Sequence, residues 1–198
     1  MGRPRRISDD DIAREARAIF LTQGPGASTE KIARKLGVSQ AALFKRVPTK
    51  DELLVLALCP RETPLVLQQL PMGPDLDRPV PQQLTELVRS LLTFFRDLMP
   101  ALLTLKASGV PLERAFEGGK VVPPLKVRED LTLWLKLAHR QRKVRGGELK
   151  PAADLILGAI ESRCLLEHLD GKKASLAEDA AFATDTVRAM WKGLMPSQ

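Results

Sequence analysis

The chain has little of the chemistry on which most enzymes, metalloproteins and secreted proteins depend. It contains no tyrosine, two histidines and two cysteines in 198 residues. Cys59 and Cys164 lie far apart in apolar segments, with no CxxC or Cys/His pairing, so we expect reduced core thiols and neither a metal site nor a disulfide. No nucleophile, base and orienting group can be assembled from the remaining residues, which argues against an enzyme. No cofactor is expected.

Long apolar runs are also missing. No stretch approaches the roughly 20 uncharged apolar residues that a membrane-spanning helix needs, and the N-terminus lacks the apolar core of a signal peptide. We therefore expect a cytoplasmic protein with no membrane partner. The apolar content of 44% is still enough to bury one good core and a small satellite domain, which argues against disorder.

Positive charge is concentrated at one end of the chain. The formal net charge is +7, and residues 1–50 carry eleven Lys/Arg against five Asp/Glu, whereas residues 51–198 carry twenty against nineteen. A basic patch of this kind is the electrostatic pattern expected for phosphate binding. The chain begins with the basic arm MGRPRR, whose Arg3, Arg5 and Arg6 either reach into a minor groove or form a solvated tail.

Residues 28–53, STEKIARKLGVSQAALFKRVPTKDEL, have the pattern of two short helices joined by a tight turn and followed by a third helix. Gly37 follows the last apolar position of the first helix, as a left-handed C-cap would. Ser39 can cap the next helix, so that Gln40 and Ala41 begin it at an exposed end. In a helix-turn-helix, those first residues reach the edges of DNA bases.

The segment GVSQAALFKRVPTKDEL resembles the DNA-binding signature of the TetR-like bacterial transcriptional regulators. The positions that match this signature are Gly37, Val38, Ser39, Ala41, Leu43, Thr49, Lys50 and Leu53, with Ile32 and Ala33 in the preceding helix. Phe44 stands where the family usually has tyrosine, which removes a phenolic bond to phosphate but leaves a ring for a thymine methyl or a sugar. The close match covers about a quarter of the chain, and residues 60–198 resemble the family only in length, helical pattern and the Gly147-Glu148-Leu149 step before the last helix pair.

The resemblance implies that nine residues contact double-stranded operator DNA. Those with implied phosphate contacts are Ser28, Thr29, Ser39 and Lys50, and those with implied groove contacts are Gln40, Ala41, Phe44 and Lys45, with Arg46 in either role. The residue types suit these contacts, because Gln40 is long enough for a bidentate adenine contact and Lys45 reaches guanine or a phosphate. The alternative is a helical domain with a solvated basic face.

Beyond residue 50 the pattern is helical, with no convincing strand. A linker helix is predicted at 52–58. Further helical segments, separated by proline or glycine, are predicted at 81–98, 100–108, 111–117, 123–144, 151–169 and 174–194. The predicted fold is all-α, with a basic arm and three-helix helix-turn-helix domain at 1–50 and a larger helical ligand-binding and dimerisation domain at 51–198.

The resemblance also implies a small-molecule effector, which we expect to be apolar. The residues predicted to line its pocket are Phe94, Phe95, Met99, Leu102 and Trp134. The alternative is that a stripe of Phe, Leu and Met at helical spacing is ordinary core. Nearby His139 brings a polar atom that needs a partner if buried, but a solvated cationic helix end explains it better.

Two apolar stripes in the last two predicted helices indicate how the chain assembles. The residues predicted at a dimer interface are Ala159, Ile160, Cys164, Ala183, Val187 and Met190. The pattern alone leaves intramolecular core as an equal alternative. The resemblance favours a homodimer with a four-helix interface.

These patterns predict a homodimeric, ligand-responsive regulator of transcription, expected to be a repressor that a small hydrophobic inducer releases from a palindromic operator. The alternative is a helical protein-interaction adaptor whose helix-turn-helix domain, the DNA-reading head, has lost the ability to bind DNA. Binding to duplex DNA with a steep salt dependence separates the two, because an adaptor would show none.

Overall fold

The computed structural model describes residues 7–60, 64–116 and 123–194, and these ranges hold ten α-helices and no strand. The helices are α1 (Asp9–Gln23), α2 (Thr29–Leu36), α3 (Gln40–Arg46), α4 (Lys50–Leu58), α5 (Leu65–Gln69), α6 (Val80–Ala107), α7 (Leu112–Ala115), α8 (Pro123–Arg140), α9 (Leu149–Asp170) and α10 (Leu176–Leu194). One turn of 3-10 helix, Leu70–Met72, follows α5. The all-α fold class is confirmed, while the basic arm with Arg3, Arg5 and Arg6 lies outside the described residues.

Backbone contacts divide the chain into two compact units. The described part of the first is residues 7–60 and 100–116, and that of the second is residues 64–99 and 123–194. The predicted boundary after residue 50 lies inside the first unit, at the start of α4, and the division by function stays a prediction. Within the described ranges, no helix combines the length and the apolar character needed to cross a membrane.

A capping box fixes the start of α1 in the first unit. The Ser8 hydroxyl accepts a bond from the backbone N–H of Asp11 at 3.1 Å, and the Asp11 carboxylate accepts one from the backbone N–H of Ser8 at 3.2 Å. The hydrogen bond from the Ser8 hydroxyl and that from Arg14 lower the pKa of Asp11 to about 2. Farther along α1, Ile12 and Phe20 are buried in the core of the unit. Ser8 and Asp11 therefore fix the N-terminal end of α1.

Arg17 joins α1 to the C-terminal end of α4. Its guanidinium donates to the backbone oxygens of Ala57 at 3.3 Å and Leu58 at 3.2 Å. The last carbonyls of a helix have no partner within the helix, so this side chain satisfies groups that would otherwise need water. The linker helix predicted at 52–58 is present as α4, with Cys59 as its C-cap.

The break predicted at Pro100 is wrong, because α6 runs through this residue without interruption. A proline inside a helix removes one backbone hydrogen bond, here the one to the carbonyl of Arg96, and costs about 3 kcal/mol. Leu98, Ala101 and Leu105, on either side of the proline, are all buried. Burial of this apolar face offsets the missing hydrogen bond.

Helix α8 ends at Arg140, four residues earlier than predicted. The chain reverses at Arg142, whose φ of 56° is left-handed. The backbone N–H of Arg142 donates to the carbonyl of His139 at 2.8 Å, and that of Lys143 donates to the carbonyl of Ala138 at 3.0 Å. This pair of bonds is the Schellman pattern that closes helix C-termini. The side chain of His139 is exposed, in agreement with a solvated helix end.

Arg96 is the centre of a largely buried charge cluster in the second unit. Its guanidinium donates to both oxygens of Glu167, at 2.7 and 3.1 Å, and to both oxygens of Asp179, at 2.9 and 2.8 Å. These bonds join α6 to α9 and α10. Burial alone would raise the pKa of Asp179, but the hydrogen bonds and charge of Arg96 outweigh burial and lower the pKa.

The two cysteines differ in their environments. Cys164 is buried, with its Sγ 3.8 Å from the carbonyl oxygen of Leu92, and burial raises the pKa of the thiol to about 11. Cys59 is only half-buried. No disulfide joins the two residues.

Candidate functional site

The turn between α2 and α3 brings the start of α3 to the surface. Gly37 ends α2 with φ 73° and ψ 28°, a left-handed conformation that glycine adopts without steric cost. The backbone N–H of Val38 then donates to the carbonyl of Ala33 at 3.0 Å. The Ser39 hydroxyl accepts a bond from the backbone N–H of Ala42 at 3.1 Å and so caps α3. The predicted turn, its glycine and its serine cap are confirmed.

Helix α3 has a buried face and an exposed face. Leu43 and the C-capping Val47 are buried in the core of the first unit. The predicted DNA contacts with exposed side chains are Ser28, Ser39, Gln40, Ala41, Lys45 and Arg46. Phe44 and Lys50 are half-buried. The nine contacts themselves stay predictions, but six of the residues lie on or directly before one short helix, α3, whose start is exposed.

Thr29 is the predicted contact whose placement differs most from expectation. Its side chain is 9% exposed, and its hydroxyl accepts a hydrogen bond from Nε2 of Gln40 at 2.7 Å. The Thr29 hydroxyl is therefore directed to α3, the helix predicted to contact the bases, instead of to a phosphate. Sequence reasoning missed this pairing because the two residues are eleven positions apart and no local pattern connects them.

Arg46 is held by an ion pair that the sequence did not indicate. Its Nε lies 2.7 Å from Oδ1 of Asp9, and both side chains are about half exposed. An acid in the first turn of α1 also suits the helix dipole, so the sequence offers no sign of this partner. Lys45 and Lys50 make no ion pair with any residue that the structure describes. These two lysines are therefore the cations of α3 and α4 that are available to phosphate.

The exposed groups of the first unit suit the binding of nucleic acid. In the described ranges, no group of three or more His, Cys, Asp and Glu side chains is placed to hold a metal ion. What the first unit presents is an amide and an alanine at the start of an exposed helix, with lysines beyond them. These are groups that read base edges and bind phosphates.

A cleft of about 620 Å³ opens in the second unit, between α5, the 3-10 turn, α6 and α8. Leu70, Leu87 and Trp134 give it an apolar wall, and Arg78 and Glu86 are joined by an ion pair of 2.5 Å on its polar side. Its volume is in the range of small-molecule sites, which is a few hundred to about 1,000 Å³.

Gln83 makes the polar side of the cleft rigid. Its Nε2 donates to the backbone oxygens of Asp75 at 2.8 Å and Arg78 at 2.9 Å, and its Oε1 accepts from the backbone N–H of Asp75 at 2.9 Å. The loop before α6 is thereby fixed to the helix. A preformed wall of this kind lowers the cost of ordering the site when a ligand binds.

Of the five residues predicted to line a ligand pocket, Trp134 lines this cleft and the other four do not. Phe95 is fully buried, and the Phe94 ring meets it edge-on with 5.4 Å between centroids. Met99 and Leu102 are half-buried elsewhere on α6. Phe95 is therefore ordinary core, the alternative that its helical spacing left open.

Most of the residues predicted at a dimer interface face inward. The fully or almost fully buried ones are Ile160, Cys164, Ala183 and Val187. Their side chains have no surface to offer a second copy, so they belong to the core of the protomer. Ala159 and Met190 are half-buried and remain candidates.

Known proteins resemble this chain in its N-terminal sequence and in its fold. Residues 12–57 match the family model described as bacterial regulatory proteins, tetR family. No curated protein matches the chain in sequence. The matched residues contain α2, α3 and the turn between them.

Solved structures of several bacterial regulators share the fold over nearly the whole chain. A TetR family transcriptional regulator from Pseudomonas syringae is 18% identical, with 94% of this chain and 97% of that one covered and a TM-score of 0.63. SmeT, the repressor of the Stenotrophomonas maltophilia multidrug efflux pump SmeDEF, is 17% identical, with 94% and 91% covered and a TM-score of 0.68. NalD, the secondary repressor of the MexAB-OprM pump in Pseudomonas aeruginosa, is 20% identical, with 96% and 97% covered and a TM-score of 0.60.

Proposed function

Because this chain carries the N-terminal domain and the fold of the tetR family of bacterial regulatory proteins, we propose that it is a homodimeric transcriptional repressor. Two copies bind a roughly palindromic operator in the cytoplasm, and a small-molecule inducer releases them. The observation that carries the proposal is the exposed start of α3, where the Gln40 amide is oriented by Thr29. The proposal is tested by selecting bound duplexes from a random pool with purified protein, which should yield one palindromic sequence.

The bond to Thr29 is compatible with base reading because an amide nitrogen has two hydrogens. One hydrogen of Gln40 Nε2 is used by the Thr29 hydroxyl. The second is left for adenine N7, and the amide oxygen can accept from adenine N6. Thr29 would then act as a positioning residue that fixes the amide before DNA arrives.

Gln40→Ala should cost about 1 to 3 kcal/mol of operator affinity and relax the preference at one base pair. Thr29→Val should cause a smaller loss of operator affinity and affect the preference at the same base pair, because the Gln40 amide is present but no longer oriented. Lys50→Ala should weaken all duplexes alike and flatten the salt slope by about one unit. Fluorescence anisotropy on the operator and its single-base variants measures all three. Unchanged affinity and preference in Gln40→Ala would remove Gln40 from the reading residues.

The outer face of α9 supports the proposed homodimer. Leu155, Leu166 and Leu169 are 66%, 61% and 72% exposed in the single chain. With Ala159 and Ser162 they recur at helical spacing on one face, opposite the buried face of the same helix. A helix that is apolar on both sides is typically buried on both sides. We infer that a second copy covers this outer face, so that two reading heads address half-sites about 34 to 36 Å apart.

The cleft beside Trp134 is the proposed effector site. Its apolar wall and its fixed polar side fit an amphipathic molecule with an apolar body and at least one polar group. Such a molecule is more polar than the mainly apolar effector expected from the sequence. Binding there releases the operator only if the effector favours a conformation with lower DNA affinity, and the coupling is reciprocal.

Ser90→Phe should block the effector without weakening the operator complex, because Ser90 lines the cleft and a phenyl ring would fill part of it. In a Trp191→Phe background, an effector from a panel of amphipathic compounds should change Trp134 fluorescence and lower operator affinity about 5- to 150-fold. Ser90→Phe should abolish both effects. Gln82→Phe is the matched control, since Gln82 is exposed on the same helix and is not part of the cleft lining. An effector that acts equally on both variants would place the site elsewhere.

A further inference from the structure

A strongly basic turn connects α8 and α9 in the second unit. Between residues 136 and 150 there are six Lys/Arg and one acid, Glu148. The rest of the chain beyond residue 50 carries fourteen Lys/Arg against eighteen Asp/Glu, so this segment, which we call the basic turn, stands out as locally basic. Neither the DNA-reading head nor the effector cleft uses it.

The cations of the basic turn are not used to hold the protein together. Arg140, Arg142, Lys143 and Arg145 are all exposed, and none forms an ion pair with any residue in the described ranges. Complementing the dipole at the end of α8 accounts for one or two positive charges in its last turn. It does not account for a further group of cations beyond the helix.

The turn is also well ordered, which distinguishes it from a solvated tail. Two backbone bonds close it in the Schellman pattern described above, and Nδ1 of His139 lies 3.2 Å from the carbonyl oxygen of Val144. The Val144 side chain is 2% exposed and anchors the turn. Gly146 packs against the His139 ring so closely that a Cβ there would lie 2.7 Å from it. The cations are therefore presented on a fixed backbone.

Arg142 occupies a position that favours glycine. In the part of the chain that the structure describes, it is the one non-glycine residue with a positive φ. After α2 and α9 the left-handed position is taken by glycine, Gly37 and Gly171. A non-glycine residue in this conformation is strained, and strain that persists in a fold points to a functional reason for the side chain.

We propose that the basic turn is a second DNA-binding site, which holds the phosphates of duplex DNA independently of the reading head. Arginine forks bind phosphate oxygens in bidentate fashion, and three of the four cations at 140–145 are arginines. The choice of DNA rests on the proposed function, in which the N-terminal domain already binds duplex DNA. An anionic membrane is the less suitable partner, because the apolar side chains at 136–150 are buried or half-buried and offer no anchor.

The first experiment compares two triple variants of the full chain that remove the same charge. The first triple variant combines Arg140→Gln, Arg142→Gly and Lys143→Gln. It should lower the affinity for a 20-base-pair duplex of random sequence on the order of tenfold. It should also flatten the salt dependence of binding by about two to three units, because each phosphate that the protein no longer neutralises accounts for roughly 0.9. The control triple variant, Lys172→Gln, Lys173→Gln and Arg188→Gln, removes three exposed cations from the same unit. It should change neither the duplex affinity nor its salt dependence. Equal effects of the two triples, or no effect of the first, would overturn the proposal.

Two further measurements separate the proposal from its rivals. Phosphatidylglycerol vesicles should not co-sediment with the wild-type protein at physiological salt; vesicle binding that disappears in the first triple while duplex binding is kept would assign the turn to a membrane instead. Arg142→Gly alone should raise the Tm by about 2 to 4 °C, as expected for relief of about 1 kcal/mol of strain in a protein of this size, and should weaken duplex binding. A lower Tm would show that Arg142 stabilises the turn and is not retained for DNA.

Discussion

Replacing Leu155 and Leu166 together with glutamate is expected to make the protein a monomer and to lower its operator affinity at least about 100-fold, or roughly 2.7 kcal/mol. The two side chains are 66% and 61% exposed in the single chain, so a monomer accommodates the carboxylates in water. In the proposed dimer, four carboxylates would be buried without partners, which the interface cannot offset. Sedimentation equilibrium at micromolar concentration and anisotropy on the selected operator measure the two effects.

The matched control for this variant is Leu125→Glu with Leu133→Glu on α8. These leucines are 49% and 40% exposed and undergo the same chemical change, but they lie on α8 and are not part of the outer face of α9 as defined above. The control should remain a dimer that binds the operator. A Leu155 and Leu166 variant that still sediments as a dimer would mean that another surface forms the interface.

The position of a charge on these helices decides what kind of damage it does. Val187 is 5% exposed, so Val187→Lys would put an unpaired ammonium into the protomer core and unfold the chain, whatever its oligomeric state. The sequence indicated apolar stripes in the last two helices, but a stripe looks alike whether it faces the protomer or a partner. On α9 both faces are apolar. Only the packing of α9 against the rest of the second unit shows which of the two faces stays exposed in the single chain.

The helix-turn-helix was predictable because its signals are local. The left-handed Gly37, the Ser39 cap and the buried Leu43 lie within seven residues, and each is fixed by backbone geometry or by one short hydrogen bond. The bond between Gln40 and Thr29 and the ion pair between Arg46 and Asp9 connect residues far apart in the sequence. No spacing rule predicts such pairs, although they decide which predicted contacts have free polar groups.

The cleft was missed for a different reason. Its lining begins at α5 and the 3-10 turn, within a segment rich in proline and glycine in which no helix was predicted. Those residues become a wall because Gln83 holds the loop and Leu70 is buried. Pro100 shows the opposite error, since a residue that ends most helices is tolerated in α6 where the apolar face on both sides of it is buried.

Arg96→Met is expected to destabilise the protein by about 3 to 5 kcal/mol at pH 7, because it leaves two carboxylates buried without their main partner. Arg96, Glu167 and Asp179 are 13%, 14% and 12% exposed. Arg163 replaces only part of these bonds, since its Nη2 donates to Asp179 at 3.3 Å while its Nε, 3.3 Å from Glu167, forms no hydrogen bond. Urea unfolding measures the loss. The control adds Glu167→Gln and Asp179→Asn, which neutralise the acids and should restore most of the stability.

The pH dependence of this loss distinguishes a charge effect from a packing defect. In the wild type the pKa of Asp179 is lowered, so its contribution to stability is complete above the unfolded-state pKa, near 3.9, and is lost as the pH falls through the folded-state pKa. In Arg96→Met, burial without its main partner should raise the pKa of Asp179, so that protonation as the pH is lowered relieves the buried charge. The difference in free energy of unfolding between wild type and Arg96→Met should therefore become smaller from pH 7 to pH 4. The difference between wild type and the triple variant should stay constant over this range. A gap that stays constant for Arg96→Met would mean that the guanidinium acts by filling space and not by pairing with the acids.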